Sequence, residues 1–281
     1  MVNIELDKLR AVEVDILETV KKVCEDNNLK YSLAYGTLIG ALRHKGFIPW
    51  DDDIDIIMPR NDYERLISIW SSLPIAEDYI LQNKYTNEDF TQNFTKIRKN
   101  NTTFIQSEEE FLVEYHTGVF LDIFPGDRVA SGFLRKVQYF ACALNLLTAR
   151  GFLSGNKGIT GLIERTILAL PHKVQLSIFR ATDCFIQRWN DDTSKPLFFP
   201  STICDAQKEY PPNLFDRMTR VEFEGHQFAA VRCMDEMLKI DYGDYMKLPP
   251  EKDRVLKHHP LKIDLYHNRD EKCDVNSGRG E

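Results

Sequence analysis

Four aspartates carry the clearest chemical signal in this chain. Asp51, Asp53 and Asp55 recur at every second residue of the segment PWDDDIDIIMPR, and Asp122 stands alone inside the apolar run VFLDIF. Successive side chains of an extended strand point to opposite faces. The spacing therefore predicts Asp51, Asp53 and Asp55 on one face, with Ile54 and Ile56 on the other. Carboxylates stacked on a strand that isoleucine buries from behind repel one another unless a cation lies between them. A lone carboxylate in an apolar strand is likewise costly unless paired or metal-bound, which places Asp122 in the same site. Oxygen-only ligands suit one or two hard divalent cations, Mg²⁺ or Mn²⁺, which usually hold substrate phosphates as well. An EF-hand loop also begins with alternating carboxylates, but Ile56 stands where that loop needs Gly and Asp62 where it needs Glu, so it is excluded.

Around this cluster lie groups suited to a phosphate. Gly36-Thr37 ends a short apolar run and opens a helix. Gly admits close backbone approach, Thr37 can donate its hydroxyl, and the helix N-terminus favours an anion; a turn with an N-cap explains the pair equally well. Lys96 and Arg98 alternate on a strand and share a face, as a pyrophosphate clamp would require. Arg43 either meets phosphate or pairs with Asp51 or Asp52 and braces the loop. Asp244, Lys247, Arg254 and His258-His259 either close over the site or belong to a surface turn shaped by Pro249-Pro250. No Cys or His lies at ligand spacing from the two histidines, which excludes a zinc site there. Tyr31, Tyr35, Phe47, Trp50, Tyr115 and Tyr242 are the aromatics available to cage a quaternary ammonium group.

The elements that must position these groups follow from periodicity. Residues 4–27 place Leu6, Leu9, Ile16, Leu17, Val20 and Val23 at helical spacing. A short helix over 38–44 precedes the Asp strand. Asn61 with Glu64 reads as a capping box, starting a helix that runs to about Trp70 and stops before Pro74. Strands are expected at 79–83, 94–98, 102–106 and 119–124, the last ended by Pro125-Gly126. From 132 to 188 the pattern is helical, broken over 151–161 and at Pro171. These helices either pack on one another or offer an apolar, partly basic surface to a membrane or lipid-linked acceptor. Short strands at 221–223 and 227–230 and a helix over 234–240 complete the core, and the tail from 268 is expected to be disordered.

Composition narrows the function. A chain of 281 residues can bury a large core. A net charge of -7 opposes a nucleic-acid surface, which needs a basic stripe. The N-terminus lacks a signal-peptide pattern. The longest uncharged run, 137–149, is too short for a bilayer span. The six scattered cysteines form neither a disulfide framework nor a finger, as in a cytosolic protein.

Gly-Thr at a helix start, D-x-D on the next strand and a lone Asp on a later strand is the pattern of the nucleotidyltransferase superfold that includes DNA polymerase β. The longer string GTLIGALRHKGFIPWDDDIDIIMPRNDYERL, with VFLDIFPGD at 119–127 and YGDYMKLPPEKDR at 242–254, resembles the LicD family of phosphocholine transferases. Their eukaryotic relatives include the fukutin-type ribitol-phosphate transferases. The resemblance covers the first 130 residues and the last 60 well, and the helical middle loosely. It implies an α/β (α+β) fold: a nucleotidyltransferase-like mixed sheet with flanking helices and a helical insertion. The chain would then divide into a catalytic core over 1–130, the insertion over 131–195, a return over 196–267 and a tail over 268–281. It further implies Asp53 and Asp55 as metal ligands, Asp51 as a further acidic position, Asp122 as third carboxylate and proton acceptor, and Gly36 and Thr37 as donor-phosphate contacts. The implied reaction moves phosphocholine from CDP-choline, or another CDP-alcohol group, to a sugar hydroxyl of a lipid-linked glycan precursor of teichoic acid, lipopolysaccharide or capsule. The alternative is transfer of a nucleoside monophosphate to a small acceptor; a non-catalytic nucleotide or metal sensor is the reading from another class.

Overall fold

The amphipathic N-terminal segment forms α1 (Val2–Asp26), whose Leu9, Ile16, Leu17 and Val20 are buried against the sheet. The computed structural model describes residues 2–106, 116–150, 158–256 and 260–268. His258, His259, Tyr115 and the tail beyond 268 lie outside the described residues.

After α1 come β1 (Ser32–Leu33), α2 (Tyr35–Arg43), β2 (Asp55–Pro59), α3 (Arg60–Trp70), β3 (Tyr79–Gln82), β4 (Thr95–Lys99), β5 (Thr103–Ile105) and β6 (Phe120–Arg128). The sheet runs in the order β1-β2-β6-β4-β3. β2 and β6 are parallel and the remaining pairs antiparallel. This is the expected mixed sheet with flanking helices. Parallel partners need a crossover and burial on both faces, and Ile54, Ile56, Ile97, Leu121 and Ile123 are all fully buried.

Beyond β6 come α4 (Phe133–Arg150), α5 (Gly158–Leu168) and α6 (His172–Ile186). α4 and α6 pack together, and Ala141, Cys142 and Ile186 belong to a small apolar cluster separate from the main core. The chain then returns through β7 (Leu197–Phe198), which pairs with the end of β6, and the hairpin of β8 (Met218–Phe223) and β9 (His226–Val231). α7 (Met234–Tyr242) and β10 (Lys262–Asp264), paired with β5, complete the described chain. All five described cysteines are free. Among the described residues no helix is long and apolar enough to cross a membrane.

Several boundaries differ from the sequence reading. β2 begins only at Asp55, so strand alternation does not govern residues 51–54. α3 starts at Arg60 without a side-chain cap; Glu64 pairs with Arg60 at 3.1 Å instead of closing a box on Asn61. β6 continues through Pro125-Gly126, because its pairing with β4 has already ended at Ile123 and no bond to β4 is lost at the proline. α5 starts at Gly158, inside the expected break. β10 is only three residues long, too short to show alternation.

Asp127 ties the helical region to the sheet. It is fully buried, and Arg60 donates to both its oxygens, Nε at 2.9 Å and Nη2 at 2.6 Å. Asn190 donates a third bond at 2.7 Å, and Asp183 on α6 lies 3.6 Å from the same guanidinium. Removing one member leaves the others charged and buried. Asp127→Ala is therefore expected to destabilise the protein by about 3–5 kcal/mol, read as a lower urea midpoint, whereas the exposed Asp235→Ala shifts it by less than about 1 kcal/mol.

Candidate active site

Parallel pairing of β2 with β6 sets Asp55 directly opposite Asp122, and Lys96 on β4 is the next residue along that row. Lys96 Nζ donates to both oxygens of Asp122, at 2.7 and 2.9 Å, and rests on the Phe120 ring. No hydrogen bond to the Asp55 carboxylate occurs among the described residues. Burial, followed by the charges of Asp53, Asp122 and Asp51, pushes the Asp55 carboxyl well above the usual carboxylate range, against the pull of Lys96.

Just before β2, carboxylate oxygens of Asp51, Asp52 and Asp53 lie within 4.8 Å of one another. Asp52, expected on the opposite face, joins the cluster because this stretch is not a strand. These oxygen donors, continued by Asp55 and Asp122, fit a hard divalent cation and no soft metal.

The Gly36-Thr37 pair supports the carboxylates directly. A Cβ on Gly36 would lie 2.3 Å from Asp51 Oδ2, so only glycine leaves room for that side chain. Thr37 is buried and its Oγ1 accepts the Asp55 backbone N–H at 2.8 Å, fixing the start of β2. The hydroxyl assigned from sequence to the donor phosphate thus also braces the Asp strand.

The predicted phosphate clamp does not form. Lys96 is committed to Asp122, and Arg98 is fully buried, donating to Gln82 Oε1 at 2.6 Å and to the Gly118 carbonyl at 3.0 Å. Both do share one face, but an interior face. Arg43 donates to the Tyr245 carbonyl at 3.0 Å and not to Asp51 or Asp52. The loop is braced instead by Arg10 of α1, which donates to the carbonyls of Ile48, Pro49 and Asp51. Glu13 lies buried beside it, its carboxyl raised by burial and then by Asp53 and Asp52, with Oε2 lacking a hydrogen-bond partner. Sequence reasoning missed both residues. Glu13 had a signal: it sits on the apolar stripe with Leu9, Ile16 and Val20, where a charge is costly.

Asp53, Asp55 and Asp122 open onto a cavity of about 430 Å³. Its other side carries Ser201, Thr202, Asp205, Lys208, Arg150 and Tyr242, none of which the motifs had placed in the site except Tyr242. Lys208 bridges Asp205 and Asp241 at 2.9 and 3.1 Å. Among the described residues that line this cavity, Arg150 and Lys208 are the basic ones. A neighbouring cavity of about 330 Å³ shares Tyr242 and is lined by Gly36, Arg43, Trp50, Asp51, Asp244 and Lys247. Arg254 lies over the Trp50 ring at 5.5 Å.

Gly36→Ala should displace the Asp51 carboxylate while leaving the fold intact. Its expected signature is a loss of divalent-cation binding by calorimetry of at least ~10-fold, with an unchanged thermal midpoint. Wild-type affinity in this variant would show that the close approach does not matter.

Comparison with known proteins places this geometry. Residues 28–139 match the LicD/FKTN/FKRP nucleotidyltransferase domain. The chain is 32% identical over 276 residues to the lipopolysaccharide cholinephosphotransferase LicD of Haemophilus influenzae, covering 92% of this chain and 97% of that protein. A shorter match, 43% identical over 47 residues, joins 17% of this chain to 18% of the uncharacterized protein RP689 of Rickettsia prowazekii. With the Asp55–Asp122 pair in the matched domain and similarity along nearly the whole chain, this protein belongs to the LicD family.

Proposed function

We propose that the protein is a metal-dependent transferase that moves phosphocholine from CDP-choline to a sugar hydroxyl of a cell-surface glycan precursor, releasing CMP. The observation that carries this reading is the Asp55–Asp122 pair at the wall of a cavity large enough for a nucleotide-linked head group. The similarity to a protein named for lipopolysaccharide choline-phosphate transfer supports the transferred group and the acceptor class.

In this reading Asp51, Asp53, Asp55 and Asp122, with Asp52 beside them, hold Mg²⁺ or Mn²⁺. Such an ion neutralises phosphate charge and lowers the pKa of the acceptor hydroxyl. Phosphoryl transfer asks for positioning and electrostatics more than covalent help. The acceptor oxygen attacks the phosphorus that bears choline, the bond from that phosphorus to the CMP oxygen breaks, and the hydroxyl proton leaves to a carboxylate. Both oxygens of Asp122 are already engaged by Lys96. Asp55, opposite it and facing the cavity, is the better-placed acceptor. Arg150, at the cavity wall, takes over the phosphate-contact role expected of Lys96 and Arg98. Arg43, Lys247 and Trp50, in the adjoining cavity beside Gly36, suit the CMP half of the donor.

The acceptor is lipid-linked in this proposal, reached at the cytoplasmic face of a membrane. Every exposed charged side chain on the described parts of α4, α5 and α6 is basic (Lys136, Arg165, Lys173 and Arg180), while Glu164 and Asp183 are buried. Phe133, Phe140 and Leu162 are exposed on the same helices. In a chain of net charge -7 this segregation fits an anionic lipid surface. Full-length protein should sediment with phosphatidylglycerol vesicles and not with phosphatidylcholine vesicles, and Leu162→Glu with Lys173→Glu should abolish sedimentation. Equal sedimentation with both lipids would count against the membrane contact.

The decisive assay incubates the protein with Mg²⁺, CDP-choline and an undecaprenyl-linked glycan. CMP release with labelled acceptor is expected, stopped by EDTA and reduced at least ~10³-fold in Asp55→Asn and Asp122→Asn. Pyrophosphate release from CTP in its place would overturn the reading in favour of nucleotidyl transfer.

A further inference from the structure

Tyr35 is the first residue of α2 and has φ of 45°, the left-handed region that bulky side chains rarely adopt. Such strain persists only where the surroundings impose it, and it concentrates at ligand sites. Here it turns the tyrosine into the wall of the carboxylate cavity, edge-on to Phe124 at 5.3 Å between ring centres. Phe124 in turn meets Phe94 at 4.4 Å. Register explains the grouping: Phe124 follows Asp122 by two residues on one face of β6, and Phe94, immediately before β4, precedes Lys96, the cross-strand partner of Asp122, by two. Tyr242, 46% exposed at the end of α7, brings a fourth ring to the same cavity.

Two further observations mark this corner as a ligand site. The buried Tyr35 hydroxyl has no hydrogen-bond partner, and the residue that carries it lines the cavity. Unpartnered buried polar atoms are rare, and one on a residue of a cavity wall calls for an explanation. Next to these rings Asp205 stands in the cavity wall and shares the ammonium of Lys208 with Asp241, whose side chain is buried. Against the upward push of burial, hydrogen bonds from Thr202, Lys208 and Ser201 hold the Asp205 carboxyl below its usual range, so it stays charged. Aromatic rings backed by negative charge describe the recognition of a methylated cation.

We infer that Tyr35, Phe94, Phe124 and Tyr242, with Asp205 behind them, form the subsite for a quaternary ammonium head group and set the preference for choline over unmethylated amines. The inference rests on the phosphocholine reading above and names the residues that enforce it. A primary ammonium would seek direct hydrogen bonds and full hydration, which a ring-lined wall does not return. A trimethylammonium has no N–H to satisfy and presents its charge through its methyl groups to the ring faces.

The test compares phosphocholine with phosphoethanolamine by calorimetry on the full chain, with CDP-choline turnover measured in parallel. Wild-type protein should bind phosphocholine at least ~10-fold more tightly. Tyr242→Leu and Tyr35→Leu should bring that ratio towards unity, whereas Tyr242→Phe, which keeps the ring, should preserve it. Tyr242 is exposed, so its leucine variant is expected to fold, and an unchanged thermal midpoint confirms that. Equal binding of the two ligands by wild-type protein, or an unchanged ratio in Tyr242→Leu, overturns the subsite. A preserved binding preference without CMP release from any CDP-alcohol would instead sink the transferase reading and leave the subsite standing.

Discussion

Two carboxylates held side by side on adjacent parallel strands are the constraint on which the rest of this structure depends. Asp55 and Asp122 cannot move apart without breaking the β2–β6 ladder, and that ladder is the centre of the sheet. Like charges at this distance oppose folding, so the surroundings must return what the pair costs. Lys96 returns part of it by holding both oxygens of Asp122. Thr37 fixes the Asp55 backbone, and Arg10 gathers the carbonyls of the preceding loop so that Asp51, Asp52 and Asp53 converge. Asp53, Asp55 and Asp122 face the cavity, which is where a cation or phosphate-bearing ligand is wanted.

The cavity divides the chain's labour in an informative way. All the carboxylates of the cluster lie within the matched domain, residues 28–139. Arg150, Ser201, Thr202, Asp205, Lys208 and Tyr242, which face them, lie outside it. A shared charge-handling wall is thus paired with a second wall drawn from segments that the domain match does not include. Chemistry common to a superfold needs the first wall; selection of a head group can reside in the second, whose rings and charges are free to change without disturbing the β2–β6 pair.

How far the site could be read from sequence follows from the range of each interaction. Asp55 and Asp122 were legible because a charge inside an apolar strand is costly wherever the strand goes. Most strands and helices were legible because periodicity is local, while their assembly into a mixed sheet followed from the family resemblance. The alternation argument failed at Asp52, since it assumed a strand four residues before one begins. Lys96 and Arg98 showed their common face but not what that face meets: a buried lysine beside a buried aspartate pairs with it rather than waiting for substrate. Arg10, Asp205 and Lys208 act across tens to hundreds of positions, and no local pattern distinguishes them from surface charges.

The same logic accounts for Asp127, five residues beyond Asp122 on β6. It too is a carboxylate in a strand interior, yet Arg60 and Asn190 donate to both its oxygens and it is fully buried. Burial with full pairing makes a brace; burial beside an open cavity with partial pairing makes a site. The two aspartates share a rigid strand, so the helical region fixed at Asp127 through Arg60 and Asp183 is held in register with the carboxylates at Asp122. Arg150, at the far end of α4, can then reach the cavity in a defined position. The helical segment that matched the family pattern only loosely is therefore mechanically continuous with the part that matched it best.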